Sequence, residues 1–307
     1  MRHSTLRRPA ILALGLVLST GMLATAVPVA AAGSGCLVKD SGTGKTYGKL
    51  QKAVDNAAAD ARIEVRGTCT GSTIVAGKTL KIVGVPTKTR GKPVLSGGGA
   101  GRVLEVQTDA NVILQRITLR NGRVSGKDYP GNSGAAILVS GRVTLLSSVV
   151  RDNKSSGSSA GSGAIEVLDT GTLVVAESSE IKNNVGVYGG AIENYGKTTI
   201  RDSASIHDNK ATKDGGAIYN GNSKGTDTLT IQDNARIEGN QAVNGGAIAI
   251  GKGALILKGT PKIKQNTASA KGGGIFTTGG TLTGVKCGKN VVDNTPDQVS
   301  PKSACSA

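Results

Sequence analysis

The chain has 307 residues, with 46 glycines, no tryptophan, one phenylalanine and five tyrosines, and a formal charge of +16. So few aromatic residues exclude the bulky cores of helical bundles and β-sandwiches, and glycine without a three-residue period excludes collagen. Three of the positive charges, Arg2, Arg7 and Arg8, fall in the leader, which leaves +13 for the rest of the chain.

Residues 1–32 read as an export signal. The three arginines precede an apolar run from Ile11 to Val27, and Ala30-Ala31-Ala32 offers the small residues of a cleavage site. The residues around Arg7-Arg8 match the twin-arginine pattern poorly. No later apolar stretch is long enough to span a membrane, so the expected location of the processed chain is extracellular. Four cysteines fit an oxidising compartment, and their positions favour Cys36 with Cys69 and Cys287 with Cys305, one staple at each end. A metal-binding role for them lacks any Cys-x-x-Cys, and His207 is the only histidine beyond the leader.

Residues 33–62 are predicted to hold a short capping α-helix. Thr46 can serve as its N-cap, with Tyr47, Leu50, Val54 and Ala57 on one stripe. An amphipathic helix here would close one end of a stack, as solenoids require. From residue 63, short alternating runs follow: 63–65, 73–75, 80–83, 103–106 and 112–119.

A regular ladder then takes over. Gly-Ala-Ile or a close variant places isoleucine at Ile137, Ile165, Ile192, Ile218, Ile248 and Ile275, in steps of 26 to 30 residues. An aliphatic-x-x-Asn element precedes five of these, ending at Asn153, Asn184, Asn209, Asn240 and Asn266. Two alternating runs flanking a polar bend, plus the Gly-Ala-Ile run, give three short strands per unit. The fold class that follows is all-β: a right-handed parallel β-helix with three-strand coils over residues 63–294, closed by a tail at 295–307. Strands stacked about 4.8 Å apart pile equivalent residues into columns, so isoleucines fill the interior and the asparagines bond to their copies or cap turns. The double glycines ahead of the isoleucines suit a positive φ. Leucine-rich repeats, propellers and calcium-binding nonapeptide rolls have other periods or patterns.

The opening "TYGKLQKAVDNAAADARIEVRGTCTG" resembles secreted right-handed parallel β-helix proteins of the pectin-lyase-like superfamily, particularly actinobacterial ones. The Gly-Gly-Ala-Ile and aliphatic-x-x-Asn pattern of residues 134–275 is similar to the repeat of polymorphic outer-membrane proteins, with Ile or Val where phenylalanine is usual. The first resemblance implies a polysaccharide lyase, a glycoside hydrolase, an adhesin or a non-catalytic scaffold. The Asn-Thr-Asp, Asp-Asp, Gly-His-Gly and Arg-Ile-Lys motifs that the pectin-active members would imply are absent.

Two carboxylate columns could carry chemistry. Glu166 and Glu193 each follow a ladder isoleucine, so they are expected to project outward from adjacent coils about 5 Å apart, a spacing that suits a retaining glycosidase pair. Any stacked pair has that spacing, however, and a solvated face is the favoured reading. Glu177, Asp202 and Asp233 form a second column at the bend, where three carboxylates could hold Ca²⁺ or hydrogen-bond the turn backbone; the second role is favoured, and no cofactor is required. His207 occupies a variable column and is expected to face outward. Tyr188, Tyr195 and Tyr219 fall in different columns, which argues against a sugar-stacking track.

Charge is spread unevenly. Seven bases and no acid lie between Glu64 and Glu105, and seven lysines and no acid between Glu238 and Asp293. Basic ends invite an anionic extracellular polysaccharide or cell-wall polymer as partner. Nucleic acid is not expected, because aromatic residues interleaved with bases are missing. The sequence reading is therefore a secreted, non-catalytic scaffold or binding protein, with a lyase or hydrolase as the alternative.

Overall fold

The computed structural model describes residues 35–126, 133–157, 161, 163–221 and 224–305; the expected leader lies outside them. Within them the chain winds into a parallel β-solenoid of about eight turns. Each central coil visits four walls in turn. One such coil supplies Thr172–Ala176 to wall 1, Glu180–Lys182 to wall 2, Val185–Gly186 to wall 3 and Ile192–Asn194 to wall 4. Walls 1, 2, 3 and 4 hold 11, 9, 6 and 9 strands. The first two coils have three strands, as expected; wall 3 begins at Arg123–Gly126 and adds a fourth, short strand directly after the asparagine. Two early strands, Thr68–Thr70 and Val94–Ser96, escaped the alternation pattern, and Val299–Ser300 extends wall 4 beyond residue 294 into the expected closing tail.

The isoleucine ladder is an inward file. Ile137, Ile165, Ile192, Ile218, Ile248 and Ile275 are direct register partners and fully buried. On wall 2 the inward file runs Cys69, Leu95, Leu119, Val150, Ile181, Ile206, Ile237, Ile263, Val291. Each such side chain contributes about 1.5–3 kcal/mol on burial, so a core two or three aliphatics wide suffices without aromatics.

The asparagines form a third file, and it has six members, because Val291 and Asn294 repeat the element once more. Each Asn Oδ1 accepts the backbone N–H of the coil before it at 3.0 Å for Asn184, Asn209, Asn240, Asn266 and Asn294. Where the file starts, Gly122 stands in the asparagine position and donates to Asn153. The left-handed residue is the one before the asparagine: Asn121, Asp152, Asn183, Asp208, Gly239, Gln265 and Asp293 have φ between 53° and 68°.

The paired glycines serve two different needs. The first of each pair turns the chain: Gly189, Gly215, Gly245 and Gly272 have φ of 55–72°. The second is flat against the next coil, so a Cβ on Gly216 would lie 2.1 Å from Gly246 O. Backbone cannot yield as a side chain does. Gly216→Ala is therefore expected to lower stability by more than ~3 kcal/mol, whereas Gly279→Ala, with nothing within 4 Å of the new Cβ, should melt with the wild type in a thermal scan.

The helix is shorter than expected. It spans Leu50–Asn56 with Lys49 as its N-cap, and Thr46–Tyr47 is instead a strand antiparallel to Leu37–Asp40. Leu50, Ala53 and Val54 join the main core. The Gln51 side chain pairs with both backbone groups of Ile74, Oε1 accepting its N–H at 2.7 Å and Nε2 donating to its carbonyl at 3.1 Å, which blunts the first strand of wall 4. Cysteines pair as Cys36–Cys69 and Cys287–Cys305.

Candidate functional site

Wall 4 turns one side chain per strand outward, in the file Leu138, Glu166, Glu193, Tyr219, Ala249, Phe276. Glu166 and Glu193 are indeed cross-strand neighbours, but they do not sit on a solvated face. They are 0 % and 1 % exposed, and Leu138 and Ala249 in the same file are also buried. The cover comes from the segment joining wall 3 to wall 4. Tyr188 in this segment packs its ring against Tyr219 with centroids 5.2 Å apart, and Val187 beside it is buried. Lys213 Nζ reaches the Tyr188 hydroxyl at 3.2 Å and lies 5.0 Å from the ring centroid. Asn244 Nδ2 holds Asp214 Oδ1 at 2.9 Å one coil further on. Residues 187–188 and 213–214, which follow wall 3, thus lie over the outer face of wall 4 beside Tyr219.

Tyr195 closes the other side. Its hydroxyl donates a short hydrogen bond to Glu193 Oε1. The three tyrosines, which the sequence placed in separate columns, are linked here: Tyr195 bonds Glu193, Glu193 is the register partner of Tyr219, and Tyr219 packs on Tyr188. Burial pushes the Glu193 pKa up to about 8; the Glu166 charge adds to this, and the Tyr195 hydroxyl opposes it. Glu193 therefore keeps its proton at neutral pH. Burial and the nearby Glu193 likewise raise the Tyr219 phenol. A neutral carboxylic acid at pH 7 has the protonation of a general acid, yet no solvent reaches it.

Behind this face, the interior carries polar residues that the sequence reading missed. Asn194 and Asn220 stand inward where other coils have Val106, Val139, Val167 and Ile250. Asn194 Nδ2 donates to Asn220 Oδ1 at 2.6 Å, and Thr198 Oγ1 donates to Asn194 Oδ1 at 2.7 Å. The signal was present: asparagine twice in a column of aliphatics.

The second carboxylate column behaves differently. Glu177, Asp202 and Asp233 occupy the left-handed corner between walls 1 and 2, with φ of 57°, 61° and 59°. Asp202 Oδ2 accepts the Glu177 N–H at 2.8 Å, and Asp233 Oδ2 accepts the Asp202 N–H at 3.1 Å; the Ser147 hydroxyl donates to Glu177 Oε2. Each carboxylate ties down the turn of the coil before it. Among the described residues, no group of three or more His, Cys, Asp and Glu is arranged to hold a metal ion. His207 faces outward beside Asp208, its Nδ1 2.7 Å from Oδ2.

The two basic ends are unequal. At the N-terminal end, Lys78 Nζ donates to the carbonyls of Val54, Asp55 and Ala57 at 2.9–3.1 Å, capping the helix C-terminus. Arg66 pairs with Glu64 at 2.8 Å, Arg102 with Glu105 at 2.9 Å, and Arg90 bonds Gly35 O. Four of the seven bases are thus spent on structure. At the C-terminal end, six of the seven lysines are exposed, Lys264 alone being half-buried 3.6 Å from Glu238.

No family model matches the chain, and no curated protein or solved structure matches it either.

Proposed function

We propose that this chain is a secreted, non-catalytic β-helix of the pectin-lyase-like type that binds anionic extracellular polymers. One observation carries the reading: the exposed lysines between Glu238 and Asp293, on a stretch without any acid. A solenoid holds such charges at fixed spacing, and a fixed field of one sign concentrates a polyanion at its surface. The enzymatic alternative is a lyase or hydrolase with an unrecognised site, and its two named candidates, Glu166 and Glu193, are buried out of a polymer's reach.

The test is binding to immobilised polygalacturonate and to wall teichoic-type phosphate polymer, against neutral dextran. Retention is expected at ~20 mM salt and loss by ~0.5 M, where the screening length falls to a few ångströms. Polymers recovered after incubation, with or without Ca²⁺, should carry no new unsaturated or reducing ends. Absence of retention at low salt would end the binding proposal, and new chain ends would restore the enzymatic one.

A further inference from the structure

The exposed lysines are not evenly dispersed. A cleft of about 350 Å³ opens at the last corner between walls 1 and 2, lined by Thr260, Lys262, Lys286, Lys289 and Asn290 with backbone from Gly259 and Gly284. Among the described residues, no carboxylate lines it. The reason lies in the corner column. Three successive coils place Glu177, Asp202 and Asp233 there, and in the next coil the register partner of Asp233 is Gly259. Gly284 also has a left-handed φ of 74°, but it lies against Leu257, two places ahead of the corner column. The file of acids therefore ends at Asp233, and none of its members lines the cleft.

The backbone that carries these lysines is tied down. Asn290 staples the loop that carries two of them: its Oδ1 accepts the Lys286 N–H at 2.8 Å and its Nδ2 donates to Gly284 O at 2.8 Å. The Lys289 and Asn290 N–H groups both donate to Lys286 O, and Ile263 N–H donates to Asn290 O. Cys287, between the two lysines, is bonded to Cys305. Lys262, from the adjoining wall 2 strand, sends Nζ to Lys289 O at 2.6 Å. A loop ordered before binding has little entropy left to lose when a ligand arrives.

We infer that the cleft formed by Lys262, Lys286 and Lys289 is the site that grips the polymer, its three ammonium groups receiving the oxyanions of a repeating carboxylate or phosphate chain. This deepens the polymer-binding proposal and rests on it. Ammonium groups bind carboxylate and phosphate as point charges without planar selectivity, so the shared chemistry is the oxyanion, and the two polymers distinguish its source.

The full processed chain is compared with Lys286→Gln/Lys289→Gln and with Lys88→Gln/Lys92→Gln, which removes two exposed bases of the N-terminal end. Both pairs remove the same net charge from exposed positions, and thermal melting confirms folding. On whichever polymer the wild type retains, the cleft pair is expected to weaken binding at least ~10-fold and to flatten the salt dependence. The N-terminal pair should remain within ~2-fold. Equal losses in the two pairs, or no loss in the cleft pair, would overturn the cleft while leaving polymer binding intact. Failure of the wild type to bind either polymer removes the underlying function instead.

Discussion

Glu193→Gln is expected to remove most of a fall in stability between acid and mildly alkaline pH. The folded chain holds the Glu193 proton up to about pH 8, because burial disfavours the charged form and the Glu166 charge adds to it. The unfolded chain releases that proton near the ordinary value of 4.5. Below the ordinary value both states are protonated and the contribution is fully present. As pH rises, the unfolded state is progressively favoured by losing its proton, and the contribution is exhausted once pH passes the folded value. Stability thus falls with pH across this window, by up to ~5 kcal/mol if the whole shift is expressed.

Glutamine has the same shape, cannot ionise, and keeps a carbonyl oxygen for the Tyr195 hydroxyl. The variant should match or trail the wild type at pH 5 and exceed it at pH 8.5. For a chain of this size ~1 kcal/mol corresponds to ~2–4 °C, so a gap of more than ~5 °C at pH 8.5 is the expected reading. Superimposable melting-versus-pH curves would mean that Glu193 is ionised and hydrated in the folded chain, and that the wall 3 segments do not seal the face. Titrating groups other than its coupled neighbours Glu166 and Tyr219 affect both proteins alike, which makes the difference between the two curves the informative quantity.

The solenoid was legible because its information is repeated. Ile165, Ile192 and Ile218 recur at nearly the same step, and the same asparagine follows six successive wall 2 strands, so one coil explains the next. What escaped was non-periodic. Strands of two residues such as Val185–Gly186 are too short to show alternation, so wall 3 went unseen, and with it the cover over Glu166 and Glu193. From alternation alone these glutamates do point away from the core, and only the neighbouring segment decides whether outward means wet. The N-terminal bases misled for a similar reason. Lys78 caps carbonyls 21 to 24 residues earlier, and backbone acceptors leave no trace in a charge count. At the C-terminal end six of the seven lysines stay exposed, and Gly259 in the acid column was the readable sign of the cleft.

The largest loss of stability is expected from Asn209→Ala, in the middle of the asparagine file. Asn209 is 1 % exposed. Its Oδ1 accepts both the backbone N–H and the Nδ2 of Asn184, at 3.0 and 2.9 Å. Its Nδ2 lies 2.9 Å from the carbonyls of Ile181 and His207 and 3.0 Å from Asn240 Oδ1. Alanine leaves the Asn184 N–H and those carbonyls without this partner in a place water does not reach. A buried group left unmade costs about 1–3 kcal/mol, and several are orphaned together, so a loss of ~3–5 kcal/mol is expected. Asn234, exposed at a neighbouring corner with its side chain accepting from the Thr260 hydroxyl, provides the control; Asn234→Ala should stay within ~0.5 kcal/mol. Because each coil touches only its neighbours, the damage should be local first. Amide exchange should quicken in the coils holding Asn184, Asn209 and Asn240 before the wall 1 strands at Ala61–Arg66 and Thr79–Gly84 are affected. A loss below ~1 kcal/mol, or exchange that quickens uniformly along the chain, would mean that water or backbone adjustment replaces the amide. The file would then be a by-product of the repeat, and stacking would rest on the aliphatic columns alone.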